Sequence, residues 1–177
     1  MYKIAFDPYL GSYHFHTENG LTYACHFQDW TRELSPVLGI YDIQVCEFDF
    51  TCQNPDTQNC EFNKYNKHIS ATISQLILNS FASELRVITY VCDTSDGRHK
   101  IRHKLFKHWF KNLAEQENYI RIPIEIDLKD EMSGFSASAH GGVITRKDFP
   151  HMEVLQKEFI DEIPNIFAQK IGILQSS

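Results

Sequence analysis

Two periods of hydrophobic and polar residues run through this chain, and their order predicts the elements. SYHFHT and LTYACHF (residues 12–17 and 21–27) alternate with a period of two, with Asn19-Gly20 between them. Asn-Gly suits a two-residue type I′ turn, in which both positions need φ > 0. The segment therefore predicts a hairpin that pairs His14 with Cys25 and His16 with Tyr23. After a loop broken by Pro36, residues 40–50 read as a third strand. Its apolar parity changes from Tyr41, Ile43 and Val45 to Phe48 and Phe50, which predicts a bulge near Cys46-Glu47.

A polar loop rich in Asn, Asp and Pro follows at 51–63. Between about 63 and 82 the period lengthens to that of a helix, with Ile69, Ile73, Leu76, Ile77 and Phe81 on one side. Residues 85–92, LRVITYVC, are apolar at both parities and predict a central strand. A second helix follows over 98–114. Residues 119–128 alternate cleanly: Ile120, Ile122, Ile124, Ile126 and Leu128 point one way, and Pro123 argues for a sheet edge because it cannot donate to a ladder. The stretch 134–147 is a weaker strand signal, interrupted by Gly141-Gly142, and Asp148 and Pro150 open a last helix that Pro164 breaks or restarts. The order is βββ-α-β-α-ββ-α. It predicts one α+β domain over 1–177, with a mixed, mostly antiparallel sheet of five or six strands and helices packed on it.

The helix over 98–114 changes the picture most. At 100° per residue, Ile101, Leu105, Phe106, Trp109, Phe110 and Leu113 cover about half its circumference. Lys100, Lys104, Lys107 and Lys111 gather opposite. Arg98 and Arg102 fall inside the apolar arc, where a guanidinium is costly unless a carboxylate or a bound anion meets it. The loop before the helix holds Asp93, Thr94, Ser95, Asp96 and Gly97. Gly97 allows a sharp turn, and Ser95 or Asp96 can cap the helix. Two readings fit. Asp93, Ser95, Asp96, Gly97, Arg98 and Arg102 can line a pocket for phosphate, a nucleotide or a carboxylate, with Lys100 and Lys104 beside it. Alternatively the arginines are clasped internally, by Asp93 or Asp96 and by an acid of another strand such as Glu47 or Asp49. The loop is neither GxxxxGK[ST] nor GxGxxG.

Charge sharpens the first reading without deciding it. The net charge is −6, yet residues 98–111 carry six Lys and Arg and no acid. The rest of the chain holds eleven basic against twenty-three acidic residues. Such polarity steers anionic partners, and the lysine stripe, flanked by His99, His103 and His108, can follow a nucleic-acid backbone. A solvated face is the plainer reading. His99 and His103 have i, i+4 spacing for a metal but no matched third ligand, so they read as surface histidines. His14, His16 and Cys25 of the hairpin lack a fourth ligand and read as ordinary packing. Asp93 and Asp96 with His99 as base make a carboxylate pair for a hydrolase or nuclease, unsupported by GxSxG or HExxH. No metal, cofactor or catalytic residue is assigned. The five cysteines are odd in number and contain no CxxC, and the N-terminus carries no secretory pattern, so reduced thiols in a cytoplasm are expected. No apolar run approaches the ~18–20 residues of a membrane span.

The stretch VCDTSDGRHKIRHKLFKHWF resembles the signature of an uncharacterised family of small Bacteroidetes proteins. The matching residues are Asp93, Ser95, Asp96, Gly97, Arg98, Arg102, Leu105, Phe106, Trp109 and Phe110. YHFHTENGLTYACHF and VITRKDFP are similar to that family too. The resemblance implies this order of elements, brings no activity, and draws attention to the inward arginines over the lysines. The expected functions are then three. First is a binding or regulatory module acting through a protein partner, as in a bacterial toxin–antitoxin or defence locus. Second is binding of nucleic acid, nucleotide or phosphate through residues 93–111. Third is a metal-dependent hydrolase or nuclease using Asp93 and Asp96.

Overall fold

The hairpin at residues 12–29 forms one register away from the predicted one. The computed structural model describes residues 1–32, 43–54, 66–82, 85–92, 99–130 and 135–157, with backbone alone at 126–130 and 135–138. Among them β1 (Ala5–Asp7), β2 (Ser12–His16) and β3 (Thr22–Asp29) form a meander. His14 pairs with Ala24 and His16 with Thr22. Gly20 alone in the turn takes positive φ, at 81°. Its N–H donates to the Thr17 carbonyl (3.0 Å), and the Thr17 N–H donates to the Leu21 carbonyl (2.9 Å). This longer turn, with a left-handed glycine at its end, replaces the type I′ turn. One residue of slip changes which side chains share a face. Phe15 now stacks on Tyr23 with centroids 4.9 Å apart, and Cys25 joins them in the core. His14 and His16 lie on the opposite face, bonded to Ser12 (2.7 Å) and Thr22 (3.0 Å). The three therefore do not converge.

β4 (Gln44–Gln53) pairs with β3 in unbroken register from Thr22↔Gln53 to Asp29↔Cys46, so the predicted bulge is absent. The parity changes because Val45 to Phe48 are covered on both faces. Ile43 and Val45 join one core, with Trp30, Phe149 and Leu155. Phe48 and Phe50 join the other, with the helices.

α1 (Lys67–Phe81) starts at Asn66, whose Oδ1 accepts from the amides of His68 (2.8 Å) and Ile69 (3.3 Å). It buries Ile73, Leu76, Ile77 and Phe81, with Ile69 partly covered. β5 (Arg86–Cys92) is central, parallel to β4 and antiparallel to β7 (Phe135–Arg146). The Gly141-Gly142 pair does not interrupt β7. β6 (Tyr119–Asp130) is the edge strand that Pro123 predicted. The sheet has seven strands in the order β1-β2-β3-β4-β5-β7-β6, not five or six. The added β1 is three residues long, too short to show a period. α1 and α2 (His99–Lys111) cover one face, and Phe149 with the helical residues 152–157 covers the other. The class is α+β, and no helix among the described residues is long and apolar enough to cross a membrane.

Candidate functional site

α2 is rotated from the facing its apolar arc predicts. Phe106 and Trp109 are buried at 3% exposure, and Leu113 closes the row. Leu105 and Phe110 are only partly covered, and Ile101 is 54% exposed. The place Ile101 was expected to fill is taken by His99 and His103, one turn apart on the sheet side. Phe106 sets this rotation. Its ring stacks on Tyr90 of β5 with centroids 4.0 Å apart, and its other edges meet Phe48, Phe50 and Trp109.

His99 and His103 are therefore not surface histidines. Their rings pack on His140 of β7, with centroids 5.4 and 5.0 Å away. Across the ladder, His140 pairs with Cys92 on one side and with Glu125 on the other. The Glu125 carboxylate lies 3.8 Å from His140 Nδ1, on the solvent side. The alternation that turns Ile122 and Ile124 to the far core turns Arg121 and Glu125 to the α2 side. Arg121 Nε donates to the Tyr90 hydroxyl at 2.8 Å, and Nη2 lies 3.2 Å from His103 Nε2. Gly142 makes this reach possible, because a Cβ there would sit 2.6 Å from the Tyr90 hydroxyl and 2.8 Å from the Ile122 carbonyl.

The electrostatics follow from burial and from the crowding of cations. Burial, then Arg121, His140 and Lys107, push the His103 pKa down to about 4. Its ring is neutral at ordinary pH and can accept from Arg121. Burial pushes the Tyr90 phenol up to about 12 against the pull of Arg121, so it stays protonated. Arg121 is half-buried and meets a phenol and an imidazole. Among the described residues no carboxylate lies within ion-pair distance of it.

Of the residues singled out in the sequence, Asp93, Ser95, Asp96, Gly97 and Arg98 lie outside the described residues. Lys100, Lys104, Lys107 and Lys111 are exposed along one side of α2. Arg102 is half-buried, is not without a partner, and lines a cleft of about 400 Å³ with Phe48, Asp49, Phe50 and Phe106. Cys52 borders the same cleft and is disulfide-bonded. The expectation of five reduced thiols fails there, while Cys25 and Cys92 are free and buried. Among the described residues no three His, Cys, Asp or Glu side chains group to hold a metal ion. Tyr90, Arg121 and His140 were not singled out in the sequence. The one available signal was an arginine on the off-beat of the isoleucine alternation.

No curated protein and no solved structure matches the chain. A family model does, over residues 65–160, which run from just before α1 past β7 and include every residue of the Tyr90–Arg121–His103–His140 group. The match spans more than half of the sequence, and the chain belongs to that family, a family of unknown function (DUF6169).

Proposed function

We propose that this protein is a binding module for an anionic ligand, phosphate or nucleotide in class, with Arg121, His103 and His140 as its anchor beneath α2. Arg102, Lys100 and Lys104 extend the positive potential along the same half of the helix. One observation carries the reading: a half-buried guanidinium is met by neutral partners. Keeping a cation out of water without a counter-charge is expensive. An oxyanion beside Arg121 would supply that charge and would draw a proton onto His103. The test is a thermal-shift titration with phosphate, nucleotides and a polyanion. The melting temperature is expected to rise with ligand concentration, as it does when a ligand binds only the folded state. Arg121→Lys, which keeps the charge and loses the planar fork, is expected to weaken the effect, and Arg121→Met to abolish it. An unchanged melting temperature with every anion would overturn the reading.

A second reading rests on the other side of α2. Lys100, Lys104, Lys107 and Lys111 are all exposed there, on a chain that is acidic elsewhere, which suits an acidic partner protein or a nucleic acid. Mobility shift at two salt concentrations separates these, since phosphate contacts weaken steeply with salt. A hydrolase using Asp93 and Asp96 stays a proposal that loss of cleavage in Asp96→Ala would support. For location, the buried free thiols of Cys25 and Cys92 fit a reducing cytoplasm, and the disulfide at Cys52 argues the other way.

A further inference from the structure

Arg121 and His103 sit too close together for both to be charged while the site is empty. Arg121 gives its Nε–H to the Tyr90 hydroxyl at 2.8 Å, which leaves its terminal nitrogens to meet a ligand, and Nη2 lies 3.2 Å from His103 Nε2. Both side chains are only half-buried, so an anion reaches them without opening the core. Arg121, His140 and Lys107 all act on His103 and disfavour its proton. His99 and Glu125 flank His140, with the Glu125 carboxylate 3.8 Å from its ring nitrogen. Below them on β5 the Cys92 thiol and the Tyr90 phenol are each pushed up to about 12 by burial and stay neutral. Among the described residues no carboxylate pairs with His103.

The charge of the ligand decides what this arrangement does. A single negative charge is matched by Arg121 alone. A proton on His103 would then restore the repulsion of its cationic neighbours, so a monoanion binds beside a neutral ring. A second negative charge offsets that repulsion, because the imidazolium supplies a second charged donor to it. Resting on the anion reading above, we propose that the site selects doubly charged oxyanions, in class the terminal phosphate of a monoester, over singly charged diesters and carboxylates, and that each dianion bound brings one proton onto His103. The sign follows from the empty site, where the His103 ring has a pKa of about 4 and is neutral at pH 7. The complex then holds one proton more than its separated parts. Affinity rises as pH falls, by up to about tenfold per pH unit. A phosphate monoester takes up its own second proton at about pH 6, so its affinity levels off there. Sulfate stays doubly charged and goes on gaining.

Calorimetric titration of the full chain with sulfate, phenyl phosphate and dimethyl phosphate, each in two buffers of different ionisation heat, counts the protons. Near neutral pH, about one proton taken up per sulfate or phenyl phosphate is expected. Dimethyl phosphate, a monoanion, should take up almost none and bind roughly tenfold more weakly or worse, the worth of one charge-assisted contact. His103→Gln should still bind sulfate, but without proton uptake and without preference for the dianion. NMR titration of the histidine rings gives a second measurement that needs no variant. With saturating sulfate the His103 pKa should climb past the ordinary histidine value of about 6.5. The proposal is overturned if sulfate binds without taking up a proton, if dimethyl phosphate binds as tightly as sulfate, or if the proton goes to His140 in place of His103. Failure of all three anions to bind would remove the anion reading itself, and this inference with it.

Discussion

Gly142 holds the site open by having no side chain. Its missing Cβ is the space through which the Tyr90 hydroxyl reaches Arg121. Gly142→Ala should therefore cost about 1–3 kcal/mol, as overpacking usually does, and displace the phenol from the guanidinium. Chemical denaturation measures the first effect, and the tyrosine ring signals in NMR report the second. His103 makes a pH prediction. Its folded pKa, about 4, lies below that of an unfolded histidine, about 6.5. The unfolded chain thus takes up this proton first as pH falls. The contribution of His103 to stability is complete above about pH 6.5 and is lost on descending towards pH 4. Melting temperatures measured across that window should fall less steeply in His103→Asn than in the parent. An equal slope would mean that the ring is not shielded by Arg121 and the sheet. Both residues were visible in the sequence, one as a break in a weak strand and the other as half of an HxxxH pair. Neither reading could be completed, because the partners that define them, Tyr90 and His140, come from strands far away in the chain.

At the scale of elements, periodicity located nearly every helix and strand and misjudged how two of them face. α2 has an apolar arc wide enough to dock at more than one rotation. The stacking of Phe106 on Tyr90 selects the rotation that buries Trp109, brings His99 and His103 inward and leaves Ile101 in water. Trp109→Ala should cost about 3–5 kcal/mol, within the range for aromatic truncation in a core. Ile101→Lys should be nearly neutral by the same denaturation measurement, although the helical wheel gives both positions to one arc. α1 offers a smaller test. Asn66→Ala removes the acceptor for two free amides and should cost about 1 kcal/mol. The hairpin turn is the companion case. Asn19-Gly20 announced a turn correctly, but the side-chain bonds of Thr17 to Asn19 and Leu21 favour a longer one, and the register moved with it.

Across the whole molecule, one seven-stranded sheet separates two cores, and the strand order places the groups that matter. β7 lies between β5 and β6, so Tyr90 and Arg121, neighbours of a common strand, meet over Gly142 although 31 residues separate them. Cys52 adds a covalent constraint that the cysteine pattern did not announce. Thiol titration of the unreduced chain in denaturant should find fewer than five free thiols, and all five after reduction. Five from the start would remove the disulfide and restore the reducing-compartment expectation. The sequence by itself determined the α+β class, the central strand 85–92, the edge position of the Pro123 strand and the burial of Trp109. Each of these is a local matter of period, propensity or a missing donor, which neighbouring residues carry. The pairing of β5 with β7, the rotation of α2 and the meeting of Arg121 with His103 were decided only by tertiary structure. They depend on which distant side chains fill a shared space, and nothing in the order of residues along one segment encodes that.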